Sequence, residues 1–452
     1  MMKMEENVNI GSSRVIHRLD KGYKITKISG NDCKMMLRDK YSTPLAVIEL
    51  CGDKVSNVRG YKSVTYDNKY RKILVDYVRD FHYHLTEEAA VDLGLSVIKI
   101  EGELDIYLTG QEFSSSKLAE YLRRPEYVSI TFNDYDKNVL TIPSGTKNCS
   151  LNLTHASVKK LVIEKKVNVS VDLRDNQYTE ILDIKDNFSG RLNLSRCNLE
   201  EIRIADNCRC DMLFNYSGKC FNLVVGDVFS GVMDIRNSCF HNLEIGYYCY
   251  AEIKLSENWG RKNISVGDSF RGTLSVDSVV AKNIRIGNDC RGKINISSKD
   301  GRCRVKNLEV DDDFNGELNL RYMQTIETVN IGAQAAGRLD MVSCPSVKAV
   351  RIEENFNGVA DFSSSGLMYL QAQKGCRGRF VFLHCDNLSL LKLPRSNVSD
   401  MKLNSSPLEI SKDKEYVYYK FDERAIPEEY QESWLASSFR KLKKVMRRNL
   451  PT

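Results

Sequence analysis

"GDVFSGVMDI" at residues 226–235 returns as "GDSFRGTLSV" at 267–276. In both stretches a glycine and an aspartate open a polar turn, and a phenylalanine and a second glycine follow. Apolar and polar residues then alternate. Aligned on that second glycine, the same slot is filled by Gly190, Cys210, Gly231, Ala251, Gly272, Gly292, Gly316, Gly337, Gly358 and Gly378. Cys149 and Val169 fit upstream as degenerate copies. The steps are 20 or 21 residues, with one of 24 across the insertion "SSKDGRC". A period held over this length is the signature of a solenoid.

Each copy carries two short apolar-x-apolar stretches, such as Leu243 with Ile245 and Ile253 with Leu255. Alternation at period 2 between Gly, Asp and Asn turns predicts strands. Two strands in about 20 residues leave no room for a helix in each copy. The expected fold is therefore mainly β: a parallel β-solenoid of about twelve coils, stacked at about 4.8 Å into a rod roughly 55 Å long.

Two residues before each slot, large and small side chains alternate: Phe188, Cys208, Phe229, Cys249, Phe270, Cys290, Phe314, Ala335, Phe356, Cys376. Close packing must balance volume, and two arrangements do so. Either each ring overhangs a small neighbour in a stacked column, or a 41-residue coil sets Phe and Cys opposite one another.

Residues 199–207, "LEEIRIADN", match the pattern LxxLxLxxN, and 347–355, "VKAVRIEEN", repeat it. On these motifs the chain resembles bacterial leucine-rich-repeat proteins of the short-repeat variety whose convex side is also extended. The resemblance covers about residues 139–395. It departs in lacking the asparagine from most copies and in placing Phe or Cys one residue later, so a curved horseshoe and a straighter β-helix both fit. It implies a protein-interaction scaffold that binds through its sheet face.

Both ends of a solenoid need covering. Residues 1–130 are not repetitive and predict an α+β capping domain. Its strands are expected at 22–28 and 45–50, and a helix in "NKYRKILVDYVRDF". A second helix opens on Thr86 as N-cap and ends at Gly94, and "SSSKLAEYL" is a third. The repeats occupy 131–398. Residues 399–452 form a C-terminal cap whose stretch "AIPEEYQESWLASSFRKLKKVMRRNL" reads as an amphipathic helix, with Leu435, Phe439, Leu442 and Met446 as its apolar stripe.

The net charge of +6 has one source. Residues 439–452 hold Arg440, Lys441, Lys443, Lys444, Arg447 and Arg448 and no acid. The rest of the chain sums to neutrality, which argues against a broad nucleic-acid surface. Arg440, Lys441, Lys444, Arg447 and Arg448 are candidates for contacting an anionic surface. No apolar run of membrane-spanning length and no signal peptide is recognised, so a cytoplasmic location is expected, with export lacking a cleavable signal the alternative. Twelve of the 14 cysteines fall in the repeats and read as reduced, buried small hydrophobes.

Enzyme signatures are sparse. A β-helix carbohydrate enzyme needs convergent carboxylates on adjacent coils. Among outward residues of the second strands, only Asp340 and Asp361 are such neighbours. On the first strands the outward column includes Arg203, Glu244, Arg285, Glu309 and Arg351, of mixed sign. The aspartates at 311–313 read as turn formers, by analogy with the other coils. His82 and His84 lie beside a helical pattern that scatters them, so no metal or cofactor is expected. The expected function is a non-catalytic protein-interaction scaffold using the first-strand column. The alternative is a β-helix carbohydrate-active enzyme or polysaccharide-binding protein centred on Asp340 and Asp361.

Overall fold

The structure, a computed structural model, describes residues 15–28, 34–52, 54–60, 68–216, 221–258, 262–297, 303–397 and 401–421. The chain is mainly β and contains a parallel β-solenoid of about 12 turns. It divides into two compact units, Met1–Thr179 and Glu180–Thr452.

In the first unit, strands Val15–Arg18, Lys24–Lys27, Lys34–Arg38, Pro44–Cys51 and Lys54–Gly60 form an antiparallel meander. Helix Asn68–Asp80 packs Leu74, Val75, Tyr77 and Val78 among Met35, Leu37, Ile48 and Val58. Helix Glu87–Asp92 starts where the sequence indicates, with the Thr86 hydroxyl accepting the Ala89 N–H. Gly94 follows it at φ +61°, the left-handed turn that releases the chain. Strand Leu95–Ile100 then pairs antiparallel with Val128–Ile142, setting Ile98 opposite Ile130. Val128–Ile142 in turn pairs in parallel with Cys149–Ile163, with Cys149 opposite Val128. The repeat thus opens at Val128, and an antiparallel strand covers its free edge.

In the second unit the coils stack through two parallel ladders. Gly190 pairs with Cys210 and Asp234 with Lys254, one 20-residue step each. This register selects the short coil and excludes the 41-residue one. Between the two strands of each coil the chain turns through a left-handed residue: Asn187, Asn207, Val228, Tyr248, Ser269, Asp289, Asp313, Gln334 and Asn355 all have φ between 50° and 62°. The conformation aims the amide along the stack. Asn187, Asn207, Val228 and Tyr248 each donate to the carbonyl of the residue before the equivalent one in the next coil, as in Val228 N–H to Tyr247 O at 2.8 Å.

The alternating Phe/Cys column is buried throughout. The Phe270 ring leans over the following coil: a Cβ placed on Gly292 would lie 2.5 Å from its Cδ1. Phe314 stands in the same relation to Gly337. Slot glycines also meet backbone, since a Cβ on Gly272 would collide with the Ala251 carbonyl. The stacked coils therefore set a small residue beneath each ring, and from Gly272 to Gly378 a glycine fills the slot beside the neighbouring chain.

Burial pushes the thiols of Cys249, Cys290 and Cys376 up to about 11, and that of Cys208 in the same direction. Because the thiolate is the reactive form, these four are expected to resist a chromogenic thiol reagent at pH 8 until the protein is denatured, while exposed Cys51 reacts at once. Labelling followed by peptide mass mapping reads this directly, and fast native labelling of the four would reverse the assignment of the inner face. Cys239 departs from the expectation of reduced thiols throughout, for it is disulfide-bonded.

The described part of the expected C-terminal cap, residues 401–421, closes the last coil with a β-hairpin. Strand Tyr416–Lys420 folds back antiparallel onto Leu390–Pro394 and pairs on its other edge with Glu409–Lys412. Val417 and Tyr419 of Tyr416–Lys420 are buried. This hairpin satisfies the last coil's first-strand edge. The expected C-terminal helix, with Arg440, Lys441, Lys444, Arg447 and Arg448, lies outside the described residues.

Candidate functional site

The first ladder builds one continuous outward column. Register pairing runs Asp183, Arg203, Val224, Glu244, Ser265, Arg285, Glu309, Asn330, Arg351, Gln371, Lys392. All five strand residues singled out from the sequence, Arg203, Glu244, Arg285, Glu309 and Arg351, stand in this file. Their charges are largely answered from within. Arg203 pairs with Glu201, Arg285 NH2 with Asp311 at 2.7 Å, and Arg351 Nε with Glu353 at 3.0 Å. Glu244 is exposed and has no ion pair among the described residues.

Two residues before this column runs a second one that the sequence reading missed. Asn242 donates to Asn222 Oδ1 at 3.1 Å, Asn263 to Asn242 at 3.3 Å, Asn283 to Asn263 at 3.2 Å and Asn307 to Asn283 at 3.0 Å. Asn242, Asn263 and Asn283 each donate to one neighbouring coil and accept from the other. The signal was available in the spacing of these asparagines, which follows the coil period. Their engagement with one another makes them part of the stack's own hydrogen bonding.

Turn carboxylates do similar work. Asp206, Asp227 and Asp268 each accept the backbone N–H of the next coil at 2.8 Å, from Asp227, Tyr247 and Asn288. In the aspartate run at 311–313, Asp311 holds Arg285, Asp312 accepts the Ala333 N–H at 2.9 Å and Asp313 takes the left-handed corner. This is the turn role expected of them.

Asp340 and Asp361 are paired neighbours on the second ladder. Asp340 is only 4% exposed. Its Oδ2 accepts from Arg321 Nε at 2.8 Å and NH2 at 2.6 Å, with Arg338 NH2 at 3.7 Å. Asp361 accepts the amide and hydroxyl of Ser363 at 3.0 and 2.6 Å. Asp340 is thus held by arginines of its own and the neighbouring coil, and Asp361 by Ser363 through Oδ1 alone.

The corner after the first strand is different. Tyr247, Tyr248 and Tyr250 are exposed by 50%, 53% and 55%, and Val228 beside them by 41%. None of the three tyrosine hydroxyls has a hydrogen bond among the described residues. Backbone pairing fixes their order, with Val228 N–H on Tyr247 O and Tyr250 N–H on Phe229 O, both at 2.8 Å. Inspecting strand faces alone hides this cluster, because turn residues belong to neither alternating column.

Val228 carries a specific cost. A β-branched residue in the left-handed region is strained, and other coils place asparagine at this corner (Asn187, Asn207, Asn355). Val228→Asn is expected to raise stability by about 1 kcal/mol, the scale of that penalty. Urea unfolding with an unchanged slope would show it, and a lowered midpoint would contradict it.

No family model, no curated protein and no solved structure matches the chain.

Proposed function

We propose that the protein is a non-catalytic scaffold that holds protein partners on the first corner of its middle coils, at Val228, Tyr247, Tyr248 and Tyr250. The observation that carries this reading is the tyrosine cluster. These are large amphipathic rings with no internal hydrogen bond, presented on backbone held by both neighbouring coils. Tyrosine gives much contact area for little rotamer entropy and is enriched among side chains that dominate binding. A strained, exposed valine in the same patch fits a site where local stability is traded for contact.

The catalytic alternative has less support. Asp340 is 4% exposed and ion-paired with Arg321, so the pair offers one open carboxylate, Asp361, where the reaction needs two.

The test compares the full chain with Tyr248→Ser/Tyr250→Ser as bait in extracts of the native source. The partner retained by the native chain is expected to fall at least roughly fivefold with the variant, the scale of losing hot-spot side chains, while Tyr322→Ser, at the opposite corner, changes nothing. Equal recovery by all three proteins would remove the corner from the function. Turnover of a polysaccharide, abolished by Asp340→Asn with Asp361→Asn, would replace the scaffold reading by the enzymatic one.

A further inference from the structure

We propose that the tyrosine corner takes a lysine- and arginine-rich segment of a partner polypeptide. This rests on the reading of the corner as a binding surface and adds the chemistry of what it binds. The side chains of Tyr247, Tyr248 and Tyr250 are about half exposed, and an aromatic face attracts a cation through its quadrupole. Around them stand carboxylates with charge to spare. Asp206 and Asp227 use one oxygen each on a backbone amide and have no ion pair among the described residues. Glu244 is exposed and has no ion pair among the described residues.

The cations nearby are mostly committed. Lys254 pairs with Glu252 at 3.0 Å, Arg203 with Glu201, and Arg271 with Asp289 at 2.9 Å. Asp268 lies in the field of Arg285 and is not counted among the open carboxylates. Asp289 also holds Arg291 at 3.1 Å, so that pair of arginines keeps one positive charge in excess, and among the described residues Arg209 is the other open cation, exposed at the far edge. Asp206, Asp227 and Glu244 against Arg209 and the one excess arginine charge leave the corner acidic by one. Aromatic faces and carboxylates at a spacing set by the coils suit alternating positive charges on an extended chain, and they disfavour an acidic ligand.

Fluorescein-labelled octa-arginine and octa-glutamate serve as probes in an anisotropy titration of the full chain. Octa-arginine is expected to bind roughly tenfold more tightly or better, with affinity falling as salt is raised. Tyr248→Ser/Tyr250→Ser and, separately, Asp227→Asn/Glu244→Gln should each weaken it by about tenfold, and the second pair should flatten the salt dependence. Tyr322→Ser should leave it unchanged. Equal binding of the two probes, or octa-arginine binding untouched by both double variants, overturns the proposal. So does a tenfold gain in octa-arginine affinity when the six bases of residues 439–452 are changed to glutamine in the full chain, since the occupant would then be the chain's own tail. If octa-arginine fails while the tyrosine variant still loses the native partner, the cationic chemistry falls and the binding surface stands. If both results fail, both readings fall.

Discussion

Lys262→Met is expected to stabilise the protein by on the order of 4 kcal/mol at pH 6 and by far less at pH 10. Lys262 has no exposed surface, and its Nζ has no hydrogen-bond partner among the described residues. It lies 4.1 Å from the centroid of the Phe240 ring, a cation–π contact that compensates in part. Burial alone pushes the ammonium from the ordinary 10.5 down to about 7, because a charge in an apolar core loses its hydration. The unfolded chain therefore binds the proton more tightly than the folded one. Stability then rises with pH between about 7 and 10.5, and the full deficit is present below pH 7. Methionine has similar length and no charge, so it removes the deficit and flattens that slope. Urea unfolding of both proteins across this range measures the difference. A variant no more stable than the native chain at pH 6 would place Nζ in contact with water.

That lysine also marks where sequence reading stopped. In "KNISV" the period-2 pattern of Lys262, Ile264 and Val266 points all three inward, and the structure buries all three. A lysine at such a position looks like the end of a strand rather than part of its core. The coil length, the strand positions and the Phe/Cys column were legible because each recurs every 20 or 21 residues, and backbone stacking repeats at the same interval. Thr86 and Gly94 were legible because capping is local chemistry. The closing hairpin was not. Its strand "YVYYK" alternates like a repeat strand, yet it pairs antiparallel after the slot glycines have ended, and nothing local encodes the direction of pairing. The column of Arg203, Glu244, Arg285, Glu309 and Arg351 followed from alternation, whereas the tyrosine corner depends on a left-handed turn that alternation does not describe. Sequence periodicity reaches what the strands present; the corners need backbone geometry.

Removing a ring from the alternating column is expected to be among the most damaging single changes in the molecule. Phe270→Ala should cost about 3–5 kcal/mol, because the ring is fully buried and the backbone around it cannot collapse into the space. Coils locked to both neighbours by the parallel ladders have little freedom to move inward. Cys290→Phe, which sets a ring directly after Phe270 and before Phe314, should cost roughly 1–3 kcal/mol by overpacking. The two changes are coupled through one volume. In the double variant the added ring partly fills the space left by the lost one, so the combined loss should fall short of the sum by about 1 kcal/mol. The clash with Phe314 remains and prevents full recovery. Equilibrium unfolding of the two single variants and the double variant yields this coupling. Strict additivity would mean that Phe270 and Cys290 occupy separate pockets, and the alternation of large and small residues would need a cause other than shared space.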